Sequence, residues 1–461
     1  MHACVVQTSP IPRRLAALVA GCFVMENLDV TIVTTSAEPL ARALGTTPSS
    51  VGLVVAAYLV ALAVALPPGG WLTGRFGPRW VLTAAIAVFT LASVGCASSG
   101  TLAELVGWRV VQGVGAAMMV PVGRLMLLDG VAKRDVPRLM AWIVWPGLAA
   151  PVVAPLLGAL LTTYASWHWM FLINVPIGVL GLVLALRWVP DTPGRGAGPL
   201  DVPGLVLCAA GLGGLVSSSA LVDHGLPVAA GVAVAAGAVV LAVAGRHLLR
   251  TAHPLVDVRV LRVRTFRASS VGGALFWAVV TAVPFLLPLL FQQVFGWSAT
   301  TAGAVVVAVF AGNIAAKPAT TALIRRFGLR TMAATAAVAV AATLAVAATW
   351  SPDAGIVAVV VVCALSGAAR SVGLTMYSIL PFTDVTGPEL RHANTLAAVV
   401  QQTSMGLGVA LASAVLAGAA ALTSDAPAAF RVTFAVFAVL ALVVALDVLR
   451  LPRGAGDAVR S

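Results

Sequence analysis

Fourteen apolar stretches of spanning length, separated by short polar connectors, constrain this chain more than any other feature. They cover approximately residues 12–34, 48–70, 80–98, 101–127, 137–163, 167–187, 203–222, 226–245, 267–292, 300–323, 331–348, 354–378, 393–420 and 427–449. A helix needs ~20 apolar residues to cross the hydrocarbon core of a bilayer. Lipid offers the backbone no hydrogen-bond partners, so a helix, which satisfies them internally, is the expected structure. The sequence therefore predicts an all-α polytopic membrane protein with 14 transmembrane helices.

The composition excludes a soluble enzyme. Only 10% of the 461 residues are charged, whereas soluble domains have ~25%. Three of the histidines, His168, His224 and His253, are isolated in or near connectors, and the five cysteines have no metal-site or disulfide spacing. No phosphate-binding loop, nucleophile motif or nucleotide-binding domain is evident. We therefore expect neither enzymatic activity nor a bound cofactor or metal.

The basic residues predict how the chain is oriented. Of the 28 Lys and Arg, 22 fall in connectors on one side of the predicted spans, four lie within spans, and two, Arg42 and Arg431, fall on the other side. Cytoplasmic connectors carry the excess of positive charge in membrane proteins. Both termini are thus predicted to be cytoplasmic. The net charge of +12 then faces anionic lipid headgroups, and nucleic acid is not an expected partner.

Span one contains two carboxylates, Glu26 and Asp29, in the stretch FVMENLDVTIVTT. They are the only acids deep within a predicted span, where a charge costs at least ~2.5–3.5 kcal/mol. Three residues apart on a helix, they are expected to share a face. This free-energy cost indicates that the carboxylates have a function or a compensating partner.

A short repeat marks two corresponding connectors. The stretch GRFGPRWVLTAA begins at Gly74 and RRFGLRTMAATA begins at Arg325. They share Arg-Phe-Gly-x-Arg, in which Gly suits a tight turn and the arginines hold the loop at the lipid headgroups. The repeated residues are Arg75, Gly77, Arg79, Arg326, Gly328 and Arg330. Repeats of this kind are typical of two-half transporters.

Five motifs, in this order, resemble those of the major facilitator superfamily, specifically its fourteen-helix drug–proton antiporter family. They are NLDVTIV from Asn27, GWLTGRFGPR from Gly70, RVVQGVGAA from Arg109, APLLGA from Ala154 and SWHWMFLINVPIG from Ser166. The resemblance covers nearly the whole chain. It departs from the family at Gly74, where an acid thought to latch helices is usual, and in APLLGA, where the family has Gly-Pro and Gly-Gly.

This resemblance implies two six-helix bundles, residues 1–190 and 263–461, joined by residues 191–262 with two additional spans. The implied activity is proton-coupled export of amphiphilic small molecules across a bacterial plasma membrane by a monomer that needs no cofactor beyond the proton gradient. Two alternatives stay open: a dedicated exporter of one metabolite, antibiotic or siderophore, and a non-transporting sensor or scaffold.

The resemblance also implies roles for individual residues. Asp29 matches the family's acid position, Glu26 is an additional proton-coupling candidate, and Arg109 lies about as deep in span four as Glu26 does in span one, so a charge pair is expected. Whether such a pair couples protons or only fixes helix packing is left open. Further candidates are Gln112, Gly113, Arg370, Tyr377, Gln401 and Gln402 for the substrate cavity, and Pro151, Pro155 and Gly158 for a bent, closely packed helix. Arg370 has no evident acid partner, which leaves backbone carbonyls or a bound anion.

Overall fold

A computed structural model describes residues 13–128, 136–194, 196, 198–223, 225–382, 385, 389–423 and 425–449, and these are helical apart from short connections. The predicted cytoplasmic ends, residues 1–12 and 450–461, lie outside this set. The α-helices are α1 Arg13–Thr35, α2 Ala37–Ala43, α3 Pro48–Phe76, α4 Pro78–Ala97, α5 Leu102–Leu128, α6 Val136–Tyr164, α7 Trp169–Leu172, α8 Asn174–Trp188, α9 Val202–Asp223, α10 Pro227–Arg250, α11 Arg264–Gln293, α12 Ala299–Phe327, α13 Leu329–Ala348, α14 Ile356–Ile379, α15 Glu389–Thr423 and α16 Ala426–Leu449.

The predicted all-α fold with fourteen spans is confirmed. Within the described ranges, fourteen helical segments are long and apolar enough to cross a membrane, with α7 and α8 together forming the sixth. The sixth span is not one continuous helix, because the α-helix is interrupted at Ile173. Several helices also run past the predicted ends, and α3 and α12 extend to Phe76 and Phe327. Their basic last turns continue the helix beyond the apolar stretch on which the prediction relied.

The helices pack as two groups. In the first, α1 contacts α5 and α6, α3 contacts α5, and α4 contacts α5 and α8; in the second, α12 and α13 contact α14, α11 contacts α15, and α13 contacts α16. The main contacts between the groups are α3 with α15 and α6 with α12. A central space is thus bordered by helices of both groups.

The two additional helices lie at the periphery. α9 packs along α3 and α15, one helix from each group, and α10 packs mainly on α9. Only 17% of the apolar stretch of α10 is buried within the protein, whereas 78% of that of α3 is buried. Lipid is as apolar as these side chains, so a helix of this kind needs no protein cover.

The repeated Arg-Phe-Gly-x-Arg loops have the same backbone geometry. Gly77 ends α3 with φ 83° and ψ 153°, and Gly328 ends α12 with φ 82° and ψ 159°. A side chain is strongly disfavoured at these angles, and glycine tolerates them. The sequence repeat is therefore also a structural repeat, one copy in each helix group.

Candidate functional site

A buried ion pair joins α1 to α5. Nη1 of Arg109 donates to Oδ2 of Asp29, and both side chains are 0% exposed. Nη1 also donates to Oε1 of Gln112 at 2.7 Å, and Nε donates to the carbonyl oxygen of Val54 at 3.4 Å. The guanidinium carbon lies 4.2 Å from the ring centroid of Tyr58, which adds a cation–π contact.

Two amide groups complete the contacts of the Asp29 carboxylate. Its Oδ1 accepts a hydrogen bond from Nε2 of Gln112 at 3.0 Å and from Nδ2 of Asn174 at 2.8 Å. Gln112 also donates to Oγ of Ser93 in α4 at 2.8 Å. The cluster therefore connects α1, α4, α5 and α8. A buried pair with these additional donors compensates much of its desolvation, whereas loss of one partner leaves a buried charge that costs ~3–5 kcal/mol.

The expectation that depth pairs Arg109 with Glu26 is corrected by this geometry, because the partner of Arg109 is Asp29. Three residues turn a helix by 300°, so side chains at 26 and 29 point about 60° apart. Glu26 instead lines a central cavity, and its buried Oε2 has no hydrogen-bond partner among the described residues. One acid is enclosed in a polar cluster and the other borders open space.

The central cavity has a volume of about 220 Å³ and is bordered by both helix groups. Among the described residues, those of its wall that carry a charge are Glu26 from α1 and Arg370 from α14. Polar and aromatic residues from α1, α11, α12 and α15 share the wall: Asn27, Thr31, Thr34, Trp277, Thr281, Phe310, Asn313 and Gln402. Apolar walls with a few polar groups are typical of small-molecule sites.

A second cavity of about 620 Å³ lies between the helix ends remote from α2. Two of the predicted cavity residues, Tyr377 and Gln401, line this space, whereas Gln402 lines the central one. Trp277 belongs to both walls.

The prediction that Gln112 and Gly113 face a substrate cavity is not supported by their positions. Gln112 is fully enclosed in the Asp29 cluster, and Gly113 packs against α3, where an added Cβ would lie 3.0 Å from Ala61. Because glycine has only a hydrogen atom in place of a side chain, the two helices can approach closely here.

The opposite end of the protein is closed by contacts between the two groups. Nε2 of Gln293 in α11 donates to Oε2 of Glu38 in α2 at 2.7 Å, and Oγ of Ser413 in α15 donates to the carbonyl oxygen of Ser49 in α3. Glu38 is thus half-buried and bridges the groups. The central and second cavities extend from the centre toward the other end.

The proline-rich helix α6 meets both groups. Pro151 lines the central cavity. The carbonyl of Pro155 lies against Gly303 of α12, and Gly158 lies against Ile32 and Ser36 at the end of α1. Neither contact leaves room for a side chain on the glycine. The close packing expected of this helix is therefore found where α1 and α12 cross it.

The first repeated loop packs against the last turn of α8 and the segment that follows it. Nη2 of Arg79 donates to the carbonyl oxygen of Leu186 at 2.8 Å, and the carbonyl oxygen of Gly74 accepts from the N–H of Gly196 at 3.0 Å. Arg75 is exposed, with its guanidinium carbon 5.8 Å from the centroid of Trp71. Without an acid at position 74, the backbone of this loop makes the contact.

The second loop has similar arginine placement. The guanidinium carbon of Arg326 lies 5.4 Å from the ring centroid of Phe327, and Arg330 follows in the first turn of α13. Both arginines flank Gly328, as Arg75 and Arg79 flank Gly77.

Sequence reasoning missed Asn174, Tyr58 and Ser93 as members of the Asp29 cluster. Asn174 lies within the stretch SWHWMFLINVPIG. An amide side chain between the apolar residues of a span was the one feature of the sequence that could have indicated a buried polar contact. Hydropathy alone does not say which face of the helix meets Asp29.

Two helix groups around a central cavity with a few polar groups in its wall, and a buried ion pair beside it, define a membrane transporter. The family described as the Major Facilitator Superfamily matches residues 19–408 and 269–460. The chain belongs to this family. Its members are transporters rather than enzymes, and the described residues contain no cluster of three or more His, Cys, Asp or Glu that would hold a metal.

Curated relatives cover almost the whole chain. A protein of Serratia proteamaculans (strain 568), provisionally named multidrug resistance protein MdtD, is 34% identical over 455 residues, which span 95% of this chain and 93% of the relative. Its counterpart in Cronobacter sakazakii (strain ATCC BAA-894) is 33% identical over 450 residues, spanning 95% and 94%. The fourteen spans and these relatives identify a multi-pass protein of the bacterial inner membrane.

Solved structures share the fold at low identity. A D-xylose–proton symporter aligns with a TM-score of 0.70 and 15% identity, over 96% of this chain and 98% of the symporter. The nucleoside transporter NupG aligns with a TM-score of 0.66 and 14% identity, over 96% and 98%. At such identities the likeness concerns the fold alone.

Proposed function

We propose that the protein is a proton-coupled exporter of amphiphilic small molecules, an antiporter that exchanges inward protons for outward substrate. The two helix groups, within residues 1–190 and 263–461, would rock about the central cavity, with residues 191–262 as the connection. The energy source is the proton gradient, both termini face the cytoplasm, and the protein works as a monomer among membrane lipids. The curated relatives' provisional names favour drugs as substrates.

The observation that carries this proposal is that one helix holds two acids in different surroundings. Glu26 borders the cavity, where it can meet water and substrate. Asp29, one turn further along, is held by Arg109, Gln112 and Asn174. A carboxylate exchanges a proton only when water reaches it, and alternating access would open this region to each side in turn. Intramembrane acids in contact with a cavity are typical of proton relays.

Coupling is tested by removing the Asp29 carboxylate. Asp29→Asn should abolish substrate-induced proton release in proteoliposomes, because an amide does not take up and release a proton near neutral pH as a carboxylate can. Glu26→Gln leaves the Asp29 cluster intact and should reduce coupling only partly. Fluorescent pH indicators and a labelled amphiphile measure both fluxes.

The control separates coupling from folding. Asp29→Asn leaves Arg109 without its counter-ion, which costs ~3–5 kcal/mol, whereas the double variant Asp29→Asn/Arg109→Gln removes both charges and should recover much of that stability. We expect the double variant to insert and remain uncoupled. Restoration of full proton release in it would mean that the pair only fixes helix packing.

A further inference from the structure

Arg370 is a cation in the wall of the central cavity, and no acidic side chain of the described residues forms an ion pair with it. It lies in the middle of α14, its side chain is 6% exposed, and it borders the cavity. Neither Nε nor Nη1 has a hydrogen-bond partner among the described residues. A buried polar group without a partner is costly, and a buried guanidinium is more so. A guanidinium with unsatisfied N–H groups beside a cavity therefore calls for an acceptor that enters from the cavity.

Other basic groups of the spans have partners or different surroundings. Arg109 is paired with Asp29. Lys317, in α12, donates to Oγ1 of Thr375 at 3.1 Å and is absent from the wall of the central cavity. Arg124 borders the second cavity and lies over the ring of Phe23, with its guanidinium carbon 5.2 Å from the centroid. Arg370 alone among these residues presents its charge to the central cavity.

The charges of the cavity wall are divided between the helix groups. Glu26 belongs to the first group and Arg370 to the second, and each carries a buried polar atom without a hydrogen-bond partner in the described part of the chain. Trp277 and Phe310 contribute aromatic surface to the same wall. A guanidinium binds a carboxylate through two parallel hydrogen bonds, which adds geometry to charge.

We propose that Arg370 forms an anion subsite, so that the preferred substrates are aromatic amphiphiles bearing a carboxylate rather than cationic ones. This inference rests on the proposed export function for its physiological meaning. The carboxylate would pair with the guanidinium of Arg370, and the aromatic body would lie against Trp277 and Phe310. A dication would instead meet the Arg370 charge, and Glu26 is the one acid that the described residues contribute to the wall.

Equilibrium binding tests the subsite without requiring transport. Three radiolabelled compounds with the same aromatic body, ending in a carboxylate, a carboxamide or a trimethylammonium group, are titrated against protein in nanodiscs of zwitterionic lipid. We expect the wild type to prefer the carboxylate. Arg370→Gln should weaken carboxylate binding by about 10- to 100-fold, the effect expected of hydrogen bonds to a charged group, and should change carboxamide binding little.

Two further variants make the result specific. Arg370→Lys keeps the charge without the fork and should retain part of the preference. Lys317→Gln removes a basic group of the same helix group that lies away from the cavity wall, and its carboxylate preference should equal that of the wild type. Size-exclusion profiles and thermal unfolding establish that each variant is folded before binding is measured.

Several outcomes would overturn the subsite. One is equal wild-type affinity for all three compounds; another is an equal loss for all three in Arg370→Gln, which would mean that Arg370 only compensates Glu26. Loss of carboxylate binding when the wild type is placed in nanodiscs rich in phosphatidylglycerol would assign the site to a lipid headgroup instead. Failure of proton coupling leaves these binding results intact, so the two proposals can fail separately.

Discussion

At the residue scale, the Asp29 cluster shows how a buried charge becomes tolerable. Arg109 supplies the opposite charge, and Gln112 and Asn174 supply neutral donors to the same carboxylate. Each donor replaces a water molecule that the carboxylate lost on entering the membrane. The neutral donors therefore contribute to stability, although only the two charges were evident in the sequence.

Replacement of Asn174 by Ala should lower the stability of the protein. The substitution removes one donor from a carboxylate that water does not reach, and a hydrogen bond to a charged group contributes about 1.5–3 kcal/mol. Thermal unfolding in detergent measures the change. Asn27→Ala is the matched control, because the Asn27 side chain borders the cavity and, among the described residues, bonds within its own helix to the carbonyl oxygen of Phe23 at 2.8 Å. Equal decreases in the unfolding temperature of the two variants would contradict a stabilising role specific to Asn174.

At the element scale, one carboxylate fastens the two additional helices to the following connector. Asp201 accepts hydrogen bonds from the N–H of Gly204 in the first turn of α9 at 2.9 Å and from the N–H of Leu255 at 3.0 Å. Nε2 of His247 in α10 lies 2.7 Å from its Oδ1. Burial alone would raise the pKa of Asp201, but these three hydrogen bonds lower it below its ordinary value. The carboxylate is therefore ionised throughout the physiological range.

Replacement of Asp201 by Asn should loosen the start of α9 and residues 251–257. The amide retains the shape but loses the charge that the three donors stabilise, and capping contributions of this kind are about 0.5–2 kcal/mol. Hydrogen exchange of these peptides should be faster in the variant, by the same factor at pH 6 and pH 8.

The pH dependence of the wild type has a defined sign. Because the folded pKa of Asp201 is lowered from 3.8, the stabilisation is present above that value and is lost as the pH falls below it. Exchange protection in the wild type that declined between pH 8 and pH 6, and did not do so in Asp201→Asn, would contradict this assignment.

At the scale of the whole molecule, the structure has one closed end and one end with open space. Glu38–Gln293 and Ser49–Ser413 join the two helix groups at the end that carries α2, whereas the second cavity separates the groups toward the other end. Alternating access requires the closed contacts to break when that end opens.

Cross-linking of the closed end should stop transport. In a background without the five native cysteines, Glu38→Cys/Gln293→Cys joined by a short bifunctional thiol reagent would hold α2 to α11, and efflux from vesicles should fall to the background rate. Glu38→Cys/Arg42→Cys is the matched control, since residues 38 and 42 face each other one turn apart within α2. Its cross-link should leave efflux unchanged. Full transport by the cross-linked pair across the groups would rule out opening at this end.

The sequence by itself determined the number and position of the membrane spans. Each span must satisfy its own backbone hydrogen bonds in lipid, so its existence depends on local apolar length. The tight turns at Gly77 and Gly328 were likewise predictable, because the same five-residue pattern imposes the same local geometry. The resemblance to the major facilitator superfamily also rested on local motifs, and the family match confirms it.

Only the tertiary structure decided how the polar groups are partnered. Equal depth suggested Glu26 for Arg109, but the rotation of α1 against α5 brings Asp29 to it and turns Glu26 toward the cavity. Asn174, 145 residues from Asp29, and the isolation of Arg370 in the cavity wall depend on the packing of distant helices. Lipid provides no apolar driving force between spans, so close packing and hydrogen bonds between helices select the faces that meet. That selection is a property of the assembled helices, which is why hydropathy and spacing along one helix did not reveal it.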